Sequence, residues 1–143
     1  MKKLICMILV VLLSVSLLTA CDGVSTVSEL RAQRQMAKRV ERMLTELSVE
    51  NTEAAKAMLL ADIAEDRMPR LIKLQEYLAG RKIVDLEQSL WTLTTTSDGA
   101  YYQENADYKV QLKDGAAFFL SVRYIETEQN QGLDLVLFMP DKL

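Results

Sequence analysis

Two cysteines, at positions 6 and 21, are the only thiols in a chain of 143 residues that contains no histidine at all. A thiolate can be alkylated, can ligate a metal or can pair with a second thiol, and each use demands particular neighbours. Cys6 lies within an apolar run and Cys21 at its end, so the chain beyond residue 21 has no thiol left for a disulfide or a metal. The absence of histidine removes the side chain most used as general base, metal ligand and near-neutral pH switch. Catalysis would fall to carboxylates, Lys, Tyr, Ser or Thr, and no spacing singles any of them out: there is no G-x-S-x-G elbow, P-loop or G-x-G-x-x-G. Asp85 and Glu87 could pair in a cleft, but solvated surface accounts for nearly all of the 20 acidic side chains. Glu126-Thr127-Glu128-Gln129-Asn130-Gln131-Gly132 has the alternating oxygens of a calcium loop. Its glycine falls one place late and Leu137 stands at the twelfth position, so it reads as a polar hairpin. Neither a metal nor a dissociable cofactor is expected.

The surroundings of Cys21 give it a different chemistry. Lys2 and Lys3 precede an apolar run from Leu4 to Leu18, followed by small residues, which is the anatomy of a secretory signal peptide. The run is shorter than the roughly 20 residues a membrane span requires. Leu18-Thr19-Ala20-Cys21 resembles the lipobox of bacterial lipoproteins. The resemblance implies that the Cys21 thiol receives a diacylglyceryl group, that the signal peptidase recognises Leu18, Thr19 and Ala20, and that the bond before Cys21 is cut. Acyl chains on Cys21 would be the only non-protein group. Asp22 resembles the enteric signal for retention at the inner membrane, which implies the periplasmic face of that membrane in preference to the outer membrane. Residues 1–20 are then a removable signal, 21–25 a lipidated tether and 26–143 one domain.

With 50% apolar and 26% charged residues the chain has an ordinary globular composition. Loss of Lys2 and Lys3 from the 17 basic residues leaves 15 against 20 acidic ones, a formal charge of 15 − 20 = −5. Such a balance argues against nucleic acid as a partner.

The elements that must carry any surface follow from patterning. Thr26-Val27-Ser28-Glu29 fits a capping box. Leu30, Met36, Ala37, Val40, Met43, Leu44 and Leu47 then recur at the spacing of an amphipathic helix. Asn51 or Thr52 can cap a second helical run from Ala54 to Met68, with Pro69 expected to kink or restart it and Gly80 to stop it. Strands follow. Ser89–Thr96 is the first, and Tyr108, Val110 and Leu112 alternate with polar neighbours in the next. Around Lys113-Asp114-Gly115 a bulged three-residue loop pairs Val110 with Phe118, Tyr108 with Leu120 and Ala106 with Val122, keeping the apolar set on one face. After a turn at Asn130–Gly132, Leu133, Leu135, Leu137 and Met139 alternate along a last strand. The expected class is α+β: N-terminal amphipathic helices packed on one face of a C-terminal antiparallel meander of about four strands. That element order is similar to the nuclear-transport-factor-2-like fold over about Ser48 to Met139, which implies a curved sheet and assigns no residue a role.

Two surfaces could meet partners. Arg31, Arg34, Lys38 and Arg42 recur at spacings of three and four near the anchor, where they could rest on anionic headgroups or serve as a solvated helix face. Phe119, Ile125, Val136 and Phe138 could form an apolar set on the sheet face away from the helices, buried by loops or offered to an envelope protein or a second copy. The sequence therefore points to a non-catalytic lipoprotein, held to the membrane through its lipid, that presents its domain to a protein partner. A ligand-binding module with an apolar pocket, and an enzyme using carboxylates or tyrosines, are the other two classes.

Overall fold

A computed structural model describes residues 27–140. The Cys21 region, Asp22 and the Thr26 cap lie outside them. Contacts divide the chain after Gln35. Up to that point the described residues are 27–35, the first turns of a helix with Val27 and Leu30 exposed. The second unit begins at Met36 and contains the sheet.

The chain is α+β, with helices followed by a four-stranded antiparallel meander. Helix α1 (27–48) buries Met36, Val40, Met43, Leu44 and Leu47, the expected three-and-four periodicity. Asn51 caps α2 (Thr52–Lys56), its side chain accepting the Ala54 N–H.

The second helical run ends much sooner than propensity suggests. After Ala57 the chain leaves the helix, makes a 3₁₀ turn at Ala61–Ile63 and re-enters as α3 (Ala64–Leu78), which runs through Pro69. The cause is tertiary. Leu60 N–H donates to Leu133 O (2.8 Å) and Leu133 N–H to Met58 O (2.9 Å), so residues 58–60 form a parallel bridge to the last strand. Gly132 permits the approach, since a Cβ there would lie 2.4 Å from the Leu60 nitrogen.

The strands are β1 (Ile83–Thr95), β2 (Tyr101–Leu112), β3 (Ala117–Thr127) and β4 (Gln131–Pro140), in that order across the sheet. β1 begins six residues before the expected Ser89, because Asp85, Glu87 and two irregularities hide its alternation. The β2–β3 register is the bulged one: Val110 faces Phe118, Tyr108 faces Leu120 and Ala106 faces Val122. Gly115 takes a φ of 89° and Leu112 N–H closes the loop on Ala116 O.

β4 departs from simple alternation. Val122 pairs with Leu135 but Ser121 with Leu137, leaving Val136 as an extra residue. The phase flips there. Leu133 and Leu135 are buried, whereas Leu137 and Met139 are exposed and Phe138 turns inward. Phe138 packs edge-on against Phe118 and Tyr77, which also stack on each other. The buried residues of α1 and α3 and the even-numbered residues of β2 from Ala106 to Leu112 belong to one core.

Gly132→Ala should cost about 1–3 kcal/mol, because backbone and not a flexible side chain meets the new methyl group. Chemical denaturation of the variant checks this, and an unchanged midpoint would contradict the close approach.

Candidate functional site

The even-numbered positions of β2 that bury Leu112, Val110, Tyr108 and Ala106 continue in phase to Glu104 and Tyr102. Glu104 is 1% exposed. A carboxylate out of water costs several kcal/mol unless donors surround it. Here they come from three elements. The Tyr102 hydroxyl donates to Oε1 (2.6 Å) and the Trp91 indole of β1 to Oε2 (3.0 Å). From α1 the Arg39 guanidinium stands 3.7 Å from Oε1, close enough for ion pairing but beyond a hydrogen bond. Arg39 also lies 3.8 Å above the Tyr124 ring of β3, a cation–π contact. The Tyr124 hydroxyl lies 3.1 Å from Glu126 Oε2 and 3.0 Å from Gln131 Oε1, and its one proton serves either acceptor.

Among the described residues, two polar side-chain atoms stay buried without a hydrogen-bond partner, and both belong to this region: Arg39 Nη1 and the Tyr108 hydroxyl. Burial pushes the Tyr108 phenol well above its ordinary value, and the nearby Glu104 charge adds to that. Burial also raises Tyr102, reinforced by its bond to Glu104, and it raises Tyr124 against the opposing pull of Arg39.

Beside this cluster is an open cleft of about 310 Å³ whose lining includes Arg39, Met58, Tyr124 and Gln131. Its polar side chains are largely engaged with one another. Both oxygens of Glu104 already accept hydrogen bonds and are shielded from solvent.

On the opposite sheet face a polar rung crosses all four strands. Asn105 Nδ2 donates to Thr92 Oγ1 and Arg123 Nε to Asn105 Oδ1, each at 3.1 Å. Arg123 Nη1 reaches Asp134 at 4.0 Å, and Arg67 of α3 holds Asp134 through Nε at 2.6 Å. Asp134 is nearly fully buried, so this rung fastens α3 to β4.

The residues singled out from sequence are dispersed. Cys21, its lipobox residues and Asp22 fall outside the described chain. Arg31 and Arg34 are exposed in the first part of α1, and Lys38 and Arg42 are exposed in the second. Asp85 and Glu87 are exposed, with Asp85 accepting the Leu86 N–H. The Glu126–Gly132 segment is a hairpin organised by Thr127, whose hydroxyl accepts the Asn130 N–H.

The apolar set divides. Phe119 is 41% exposed and Ile125 half-buried, whereas Phe138 belongs to the aromatic core and Val136 is the extra residue of β4. The flip replaces them beside Phe119 with Met139, its direct cross-strand partner, and Leu137. Sequence reasoning passed over Glu104, Tyr102, Trp91 and Arg39. The continued even-numbered phase of β2 was the signal that could have found Glu104 and Tyr102.

Compared with protein-family models, with curated proteins and with solved structures, the chain finds no match in any of the three.

The tyrosine shifts set a pH dependence. Folded-state values above the ordinary 10.0 mean that this stabilisation is complete below pH 10 and is lost as the pH rises past it. In a spectrophotometric titration Tyr102, Tyr108 and Tyr124 should ionise late, together with alkaline unfolding. Tyr108→Phe, which removes an unpaired hydroxyl, should leave stability unchanged or raise it by up to about 1 kcal/mol. A loss larger than that would mean the hydroxyl has a partner.

Proposed function

We propose that this chain is a non-catalytic lipoprotein of the bacterial envelope, anchored through acyl chains on Cys21, whose α+β domain is offered to a protein partner. In this reading the amphipathic helices cover the sheet face of Tyr108 and Val110, and the other face is turned outward. The observation that carries it is the apolar group on that outer face: Phe119 at 41%, Leu137 at 41% and Met139 at 48% exposed, on the adjacent strands β3 and β4. Clustered exposed apolar side chains on a small domain favour a partner. Asp22 supports residence at the periplasmic face of the inner membrane. The exposed basic side chains Arg31, Arg34, Lys38 and Arg42 would each add on the order of 1 kcal/mol of attraction to anionic headgroups. Two or three acyl chains make a lasting anchor where one is marginal.

The saturated environment of Glu104 supports the non-catalytic side of the reading, since its oxygens already have their donors. A ligand-binding module is the second reading. It would use the cleft at Arg39, Tyr124 and Gln131, whose orphaned Arg39 Nη1 is the feature in its favour.

Two experiments test the proposal. Cys21→Ser should abolish incorporation of labelled fatty acid and leave the precursor unprocessed; normal labelling would remove the lipoprotein reading. Phe119→Asp should leave the circular dichroism and melting temperature close to wild type while in-cell crosslinking from the β3–β4 face is lost. Unchanged crosslinking would show that this face is not the docking surface.

A further inference from the structure

The two edges of the sheet are treated differently. Along β4 other elements occupy part of the outer edge: Leu133 bonds with Met58 and Leu60, Leu135 O accepts from Arg70 Nη1, and Pro140 at the end has no N–H to offer. Along β1, no strand among the described residues pairs with the outer edge. Its first half carries the usual protections of an open edge, namely Asp85, Glu87 and irregularities at Val84 and Ser89. The second half has none. From Gln88 to Ser97 there is no charge, glycine or proline, and the pairing from Leu90 to Thr95 is regular.

The hydrogen-bonding phase of this stretch follows from the hairpin. Thr96 N–H donates to Tyr101 O, so Thr96, Thr94 and Thr92 point their backbone groups at β2. Trp91, Leu93 and Thr95 therefore point theirs away from the sheet. We propose that this edge pairs with the same edge of a second copy, antiparallel about a two-fold axis at Leu93, joining two meanders into one continuous sheet.

Several features select a second copy as the occupant. An isologous contact sets a surface against itself, so a charged edge would oppose like charges, and this one has none. Centred on Leu93, the register uses all three outward-facing residues: Leu93 pairs with its own counterpart and Trp91 with Thr95 of the other copy at both ends. Shifting the axis by one residue in either direction draws in Ser89, at the irregularity, or Ser97, beyond the strand. The chosen register forms about six backbone hydrogen bonds, two per pair. It also covers Leu93, 40% exposed, with its own symmetry mate on the face of Glu104. The contact is separate from the Phe119 face and does not depend on the lipid.

The test measures mass and amide exchange on the protein as purified from cells that express it. The sedimentation mass should double with rising concentration. Over the same range, exchange at the amides of Trp91, Leu93 and Thr95 should slow while that at Thr92 and Thr94 stays slow throughout. Leu93→Lys should restore the single-chain mass, and Thr95→Pro, which removes an outward N–H without breaking the β1–β2 ladder, should do the same with wild-type circular dichroism. A single-chain mass at every concentration overturns the proposal. So does a dimer in which those three amides exchange freely, or an edge protected only when a different protein is bound.

Discussion

Two backbone hydrogen bonds, joining Met58 and Leu60 to Leu133, set the terms for much of the molecule. They require the chain to abandon a helix that local propensity favours, and they require glycine at position 132. In return β4 gains a partner on its outer side at Leu133, which interrupts that edge as a template for further strands. The restart of the helix at Ala64 then directs Arg67 onto Asp134 and Arg70 onto Leu135 O. Without this strap both edges would run uninterrupted. With it, the edge that no other element pairs with among the described residues is that of β1.

The same economy governs the buried carboxylates. Glu104 and Asp134 lie on opposite faces, and each is held by side chains from elements distant in sequence. Glu104 draws on α1, β1 and β2; Asp134 draws on α3 and, through Arg123 and Asn105, on the far side of the sheet. Removing one partner of a buried charge leaves the other uncompensated, so each cluster penalises arrangements that separate its members. The two clusters tie α1 to β1 and β2, and α3 to β4, across a shared apolar core.

What could be read from sequence was what depends on local patterning. The β2–β3 register followed from Asp114-Gly115 and from keeping Val110, Tyr108 and Ala106 on one face. Helix α1 followed from the spacing of Val40, Met43, Leu44 and Leu47. The early end of α2 and the extra residue at Val136 were illegible, because each is decided by a contact with another element. A single displaced residue in β4 was enough to send Phe138 into the core and bring Leu137 and Met139 out. Glu104 was legible in principle, since its place in the even-numbered phase of β2 marks it as inward. Reading acidic residues as surface by type concealed it.

Trp91 is the only tryptophan in the chain, and its indole N–H is bound to the Glu104 carboxylate on the edge strand. The protein thus contains a built-in optical reporter at the place where its buried charge and its open edge meet. Its emission would come from one environment, so an event that moves Glu104 or covers β1 beside the indole would be read in a single fluorophore without a label. Tyr102, bonded to the other oxygen of the same carboxylate, supplies an energy donor close by. A molecule that docks at this edge would therefore report its own arrival through the protein's intrinsic emission.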